Sequence, residues 1–154
     1  MIGQKLTLKK IVLILPFCLI VSCKSDEQSL TVISTQSAPK AIGPYSQAVK
    51  TGKTVFCAGQ IGISKDSGLL AGEDIATQTN QALQNIKAVL EASNSDFLHV
   101  VKVTVFLTNL DNYAIVNEIY AKCFGDHKPA RSLVQVSRLP KDALIEIECI
   151  ATTK

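Results

Sequence analysis

Three side chains in this 154-residue sequence have types and settings that suggest chemistry: Arg131 in HKPARSLVQV, and Glu146 and Glu148 in IEIECIA. The chain holds only two arginines, and lysine is its usual cation. A guanidinium binds a carboxylate through two parallel hydrogen bonds, which an ammonium cannot do. The plainer reading is an ion pair between Arg131 and Glu146 or Glu148 at an assembly interface, and the residues alone leave both open. Cys57, Cys123 and Cys149 sit in apolar runs and read as buried thiols. With no C-x-x-C pair a zinc site is not expected. His99 and His127 stand far apart in sequence, so a catalytic histidine pair has no support.

These residues need elements to position them. SLTVIS (29–34) reads as a short strand, and the proline- and glycine-bearing SAPKAIGPYSQAV as a loop entering an extended segment. A Gly-Lys turn precedes a strand over Thr54–Ala58, and Gly59 and Gly62 argue for close backbone approach. Ile75, Thr79, Ala82, Ile86, Val89 and Leu90 recur at helical spacing, which predicts a helix over Asp74–Ala92 with Glu73 and Asp74 at its favoured acidic end. HVVKVTVFLTNL predicts a strand with Val101, Val103, Val105 and Leu107 on one face and Lys102, Thr104 and Phe106 on the other. A second helix is expected over Tyr113–Phe124, capped by Asp111 or Asn112 and closed by Gly125.

Two strands, ARSLVQVSRL and ALIEIECIA, finish the chain. If Val134 and Val136 on one, and Ile145, Ile147 and Cys149 on the other, pack under the helices, the period of two fixes the opposite face. That face would then carry Arg131, Leu133 and Gln135 beside Glu146, Glu148 and Ile150 of a neighbouring strand. Such a mixed apolar and charged surface suggests cover by other subunits.

The first 22 residues read as a signal. Lys5, Lys9 and Lys10 form a basic start, and the apolar run Ile11–Val21 is too short to span a bilayer. LIVSC then resembles a bacterial lipoprotein processing site, with Cys23 the lipidated residue; a plain secretory signal cut elsewhere is the alternative. The expected organisation is a lipoprotein signal peptide over 1–22, a tether with the first strand over 23–37, and one domain over 38–154. The protein is then expected outside the cytoplasm, lipid-anchored to a bacterial membrane on its periplasmic side or at the cell surface. Removing the signal leaves 13 basic and 13 acidic residues. That balance lacks the basic footprint a nucleic-acid partner requires.

The segments APKAIGPYSQAV, FCAGQIG, QTNQALQNIKAVLEA, VVKVTVFLTNLDNYAIVNEIY, PARSLVQVSRLP and IEIECIA, in this order, resemble the RidA/YjgF family of enamine/imine deaminases from about Ala38 to Thr152. The resemblance implies an α+β, chorismate-mutase-like fold: a mixed sheet with two helices packed on one face, in a homotrimer whose sheets line a barrel. It implies hydrolysis of reactive 2-imino acids to 2-keto acids and ammonia in clefts between subunits, with no metal or cofactor. Arg131 would clamp the substrate carboxylate and Glu146 would activate the water. Tyr45, Ala58, Gly59, Leu133 and Asn117 would line the substrate. Three positions depart from the family pattern: Ala58 stands where serine is common, Leu133 where cysteine is, and Lys128 where an aromatic precedes Pro-Ala-Arg. A ligand-binding protein on the same trimeric fold, without turnover, is the alternative. Ribonuclease activity, known for some relatives, fits the neutral charge poorly.

Overall fold

The computed structural model describes residues 29–154; the expected signal peptide and Cys23 lie outside the described residues. The strands are β1 (Leu30–Ile33), β2 (Ala48–Thr51), β3 (Thr54–Ile61), β4 (Val100–Leu107), β5 (Ala130–Gln135) and β6 (Ile145–Thr152), with helices α1 (Ile75–Ala92) and α2 (Tyr113–Phe124). The strands form one sheet in the order β1-β2-β3-β6-β4-β5. All neighbours are antiparallel except β4 and β5. Parallel neighbours need a crossover, and α2 supplies it. Both helices cover one face of this mixed sheet, the α+β arrangement expected from the sequence.

Burial explains the layering. Ala82, Ile86, Val89 and Leu90 of α1 pack with Val55, Val103, Val105, Leu107, Ile145 and Ile147 of the sheet in one core. The Asp74 carboxylate accepts the Thr77 N–H at 2.9 Å and so starts α1 where the acidic pair was read. Gly125 ends α2 at φ +58°, a conformation that costs glycine nothing. At the start of α2 the expectation is corrected. Asn112 makes no side-chain cap; instead the Asn109 side chain accepts the Asp111 N–H at 2.9 Å in the 3-10 turn just before the helix.

Two strands carry bulges. In β4 the register with β6 slips between Val100 and Lys102. Val100 is thereby buried and Val101 left 52% exposed, so Val101 does not join Val103 on the inner face. In β3 the register slips between Cys57 and Gln60, and the strand runs on to Ile61, past the expected end at Ala58.

The largest correction concerns β5. It is an edge strand, and β4 separates it from β6. Its register sets Arg131 opposite Val103, Leu133 opposite Val105 and Gln135 opposite Leu107, residues of the helix-covered face. Across β4, those same positions meet Cys149, Ile147 and Ile145 of β6. Arg131 therefore faces the helix side, while Glu146 and Glu148, opposite Phe106 and Thr104, face the open side. The reason is that β5 has aliphatic residues at both parities, so alternation alone cannot choose its inner face. Leu133 packs against the core, and Val134 is 44% exposed. The open face is apolar in patches, with Phe56 at 47% and Val32 at 66% exposure.

Candidate active site

Glu146 lies at the wall of a cavity of about 300 Å³, where β3 and β6 meet the loop that precedes β2. Tyr45, Ala58, Gly59, Ile61 and Pro140 line it with Glu146, and Ile42 and Lys40 reach it from the loop. The β3 bulge brings the backbone of Ala58 and Gly59 to this wall. A Cβ built on Gly59 would overlap the Glu146 carboxylate, so glycine is what makes room for the acid. The close approach read from Gly59 is thus found, and Gly62 likewise leaves no room against the Gln78 backbone.

The loop is tied down by Gln47, which is 3% exposed. Its amide donates to the Pro39 carbonyl at 2.7 Å and the Thr35 carbonyl at 3.1 Å, and its oxygen accepts the Thr35 N–H at 2.6 Å. Its own carbonyl accepts the Ala58 N–H at 3.0 Å, which joins loop to bulge. The Tyr45 hydroxyl accepts the Ile42 N–H at 3.2 Å, folding the loop over the cavity.

Burial raises the Glu146 pKa, and the neighbouring Glu148 raises it further. No cation forms an ion pair with Glu146 among the described residues. The ion pair read between Arg131 and Glu146 is thus not formed within the chain, and the shift comes from desolvation and like charge. A carboxylate with raised proton affinity is suited to accept a proton from water.

Arg131, Leu133 and Asn117 are not part of that wall. Two strand spacings across and three residues along separate Arg131 from Glu146, roughly 14 Å between backbones, and the side chains leave opposite faces. The guanidinium lies 4.7 Å from the centroid of the Tyr120 ring and 6.0 Å from that of Tyr113, both on α2. No carboxylate lies within ion-pair distance of it among the described residues. The second arginine is used differently. Arg138 grips Asp142 through two bonds of 2.6 and 3.2 Å. Asn117 lies between Tyr113 and Tyr120 at helical spacing, on the α2 face turned to Arg131.

Tyr113, Tyr120, Gln47 and Lys40 were not singled out in the sequence. The spacing of 113, 117 and 120 on one helix was the available signal for the tyrosines. Cys57 and Cys149 are buried as expected, whereas Cys123 is half-buried between the helices. His99 Nδ1 lies 2.7 Å from Asp96, and His127 Nε2 donates to the Val100 carbonyl at 2.7 Å; neither lines the cavity. Among the described residues no group of three His, Cys, Asp or Glu side chains is placed to hold a metal.

The chain thus has a mainly apolar cavity holding one carboxylate of raised proton affinity, and an arginine without an ion-pair partner among the described residues at a separate edge. The chain belongs to the RidA/YjgF family, matching the family described as Endoribonuclease L-PSP over residues 35–153. It is 56% identical over 120 residues to the RutC family protein PH0854 of Pyrococcus horikoshii, covering 78% of this chain and 95% of that protein. It is 48% identical over 120 residues to human 2-iminobutanoate/2-iminopropanoate deaminase, covering 78% of this chain and 88% of the human protein. The crystal structure of E. coli TdcF with bound serine superposes with a TM-score of 0.77 at 42% identity, covering 80% of this chain and 99% of that one.

Proposed function

We propose that this protein hydrolyses 2-imino acids, and the enamines that tautomerise to them, to 2-keto acids and ammonia, in clefts that two copies of the chain build together. Its family membership makes it a deaminase-type hydrolase, and the chemistry proposed calls on no metal or cofactor. The observation that carries the cleft is the separation of Arg131 from Glu146. A clamp and a base that cannot meet within one chain must meet between chains, or not act on one substrate. The β5–α2 edge of one copy, with Arg131, Asn117 and Leu133, would close over the Tyr45, Ala58, Gly59 and Glu146 cavity of the next. Such head-to-tail contacts form a ring when the rotation closes, and a homotrimer with the open sheet faces inward satisfies that and covers their apolar patches.

The chemistry then divides simply. Arg131 takes the substrate carboxylate through paired N–H donors and fixes the imine carbon beside Glu146. Water adds to that carbon while Glu146 takes its proton. Glu146 passes that proton to the imine nitrogen to give a carbinolamine, then takes the new hydroxyl's proton and delivers it to the amino group as the C–N bond breaks, so that ammonia leaves and the keto acid remains. The bound serine of TdcF, an amino acid with a free carboxylate, supports a ligand of this size and charge.

An assay in which an amino-acid oxidase generates the imino acid tests this reading. Purified protein should speed keto-acid release, and Arg131→Ala should remove most of the effect. If the wild type has no effect on any of several imino acids, the binding-only alternative stands, and the altered Ala58, Leu133 and Lys128 would be its basis. Ribonuclease activity unchanged in Arg131→Ala would speak for a different site. We further propose that Cys23 carries the lipid that holds the domain to a bacterial membrane, with its acidic KSDEQ stretch as tether. In whole cells Cys23→Ala should move the protein from the membrane fraction to the soluble fraction.

A further inference from the structure

Arg131 stands on an edge strand with no carboxylate to hold it, yet a clamp that wanders binds poorly, because ordering a long side chain opposes binding. Its surroundings restrain it in another way. Tyr113 and Tyr120 are seven residues apart, two helical turns, and so share the face of α2 nearest the guanidinium. Tyr120 is the nearer, and it is itself braced. Its ring stacks on Phe124 at 4.2 Å with 21° between planes, and Phe124 meets the edge of Phe97 at 4.9 Å. A column of three rings thus runs from the core to the arginine. A guanidinium lying on a ring keeps its N–H donors free in its own plane, which is the geometry a carboxylate needs.

The Tyr120 hydroxyl takes no part in this. It is buried with no hydrogen-bond partner among the described residues, and burial pushes its pKa up to about 12, so it stays a neutral phenol. The ring, not the hydroxyl, is what meets Arg131. Nor does the residue before Pro129 help, since Lys128 offers no ring there.

We propose that Tyr120, seconded by Tyr113, is the positioning residue for Arg131: its ring face sets the plane and direction of the guanidinium before substrate arrives. This rests on Arg131 being the carboxylate clamp. The experiment measures kcat and KM for 2-iminobutanoate in the coupled oxidase assay, and the Arg131 side-chain Nε–Hε resonance by NMR, in full-length protein. Tyr120→Met fills much the same volume without a π face. It should raise KM about tenfold with kcat within about twofold, since ground-state and transition-state carboxylate are gripped alike. Tyr120→Phe should restore wild-type values, and Tyr113→Leu, at an exposed site, should raise KM about threefold. In an Arg131→Ala background, Tyr120→Met should add nothing further. The Nε–Hε resonance, shifted by the ring beneath it, should move toward its free position in Tyr120→Met and stay in Tyr120→Phe.

A fall in kcat with unchanged KM, a full Tyr120→Met effect in the Arg131→Ala background, or an unmoved resonance would overturn the proposal. So would an unchanged KM in Tyr113→Leu, a variant that keeps the question open to measurement if Tyr120→Met does not fold. If the wild type turns over no imino acid, the deaminase reading fails by itself, and the resonance still decides whether the brace exists.

Discussion

Under the proposed function the cavity around Glu146 and the edge around Arg131 supply opposite halves of one chemistry, and they are built in opposite ways. The cavity is made from backbone: a bulge, a glycine without a side chain, and a loop pinned by Gln47. It half-buries an acid beside a second carboxylate, with no ion-pair partner among the described residues, and thereby raises its affinity for a proton. The edge is made from side chains: rings of α2 hold a permanently charged guanidinium at the border of the sheet. A proton acceptor needs a dry pocket to shift its pKa, whereas an arginine is charged in any setting and needs only direction.

The strongest way to break this comparison is to disable one half in each of two chains. Arg131→Ala and Glu146→Gln should each lower kcat/KM by about 100-fold or more. If the halves meet between chains, unfolding and refolding the two variants together should restore about a quarter of wild-type activity, because random assembly reunites intact halves at that share of the clefts. No recovery would place both groups of a site in one chain. A smaller effect is expected from Gly59→Ala, whose new Cβ displaces the Glu146 carboxylate. It should cost about tenfold in kcat, leaving binding of a 2-keto acid at the Arg131 half, followed by calorimetry, nearly unchanged.

The raised Glu146 pKa makes a prediction of modest size. The folded chain binds this proton more tightly than the unfolded chain, whose carboxyl titrates near its ordinary value of 4.5. Ionised Glu146 therefore costs stability at neutral pH, and the cost is relieved as pH falls through the folded pKa. Relative to Glu146→Gln, the melting temperature of the wild type should gain a little between pH 7 and pH 5, and kcat/KM should show an acidic limb above pH 4.5. The smallest effect belongs to Arg138→Ala. It breaks an exposed pair with Asp142, and neither activity nor melting temperature should change measurably.

Much of this was legible in the sequence because the signals were redundant. The apolar stripe of α1, its acidic start and the Gly125 stop of α2 each had two independent cues, and the segments resembling the family fixed the remainder. The facing of β5 had one cue, alternation, and Leu133 and Val134 gave it opposite answers. What decided it was long-range: β4 accepts β5 on one edge and β6 on the other, and pairing order is not written in either strand alone. Gly59 was readable as a point of close approach, but not that the approaching group is Glu146. The tyrosines escaped notice because a residue on an amphipathic helix reads first as packing.

The slip in β3 between Cys57 and Gln60 carries a consequence for how such a protein can change over time. Upstream of it, odd-numbered residues face the helices; downstream, Gln60 does. The location of the chamber is therefore set by a count of residues rather than by their kinds. Replacing Ala58 tunes the lining, but deleting a single residue at the slip would restore regular pairing, with Gln60 still toward the helices and Ile61 still outward, and would remove the extra backbone that forms the wall beside Glu146. Lineages can vary what this chamber admits far more easily than they can move it.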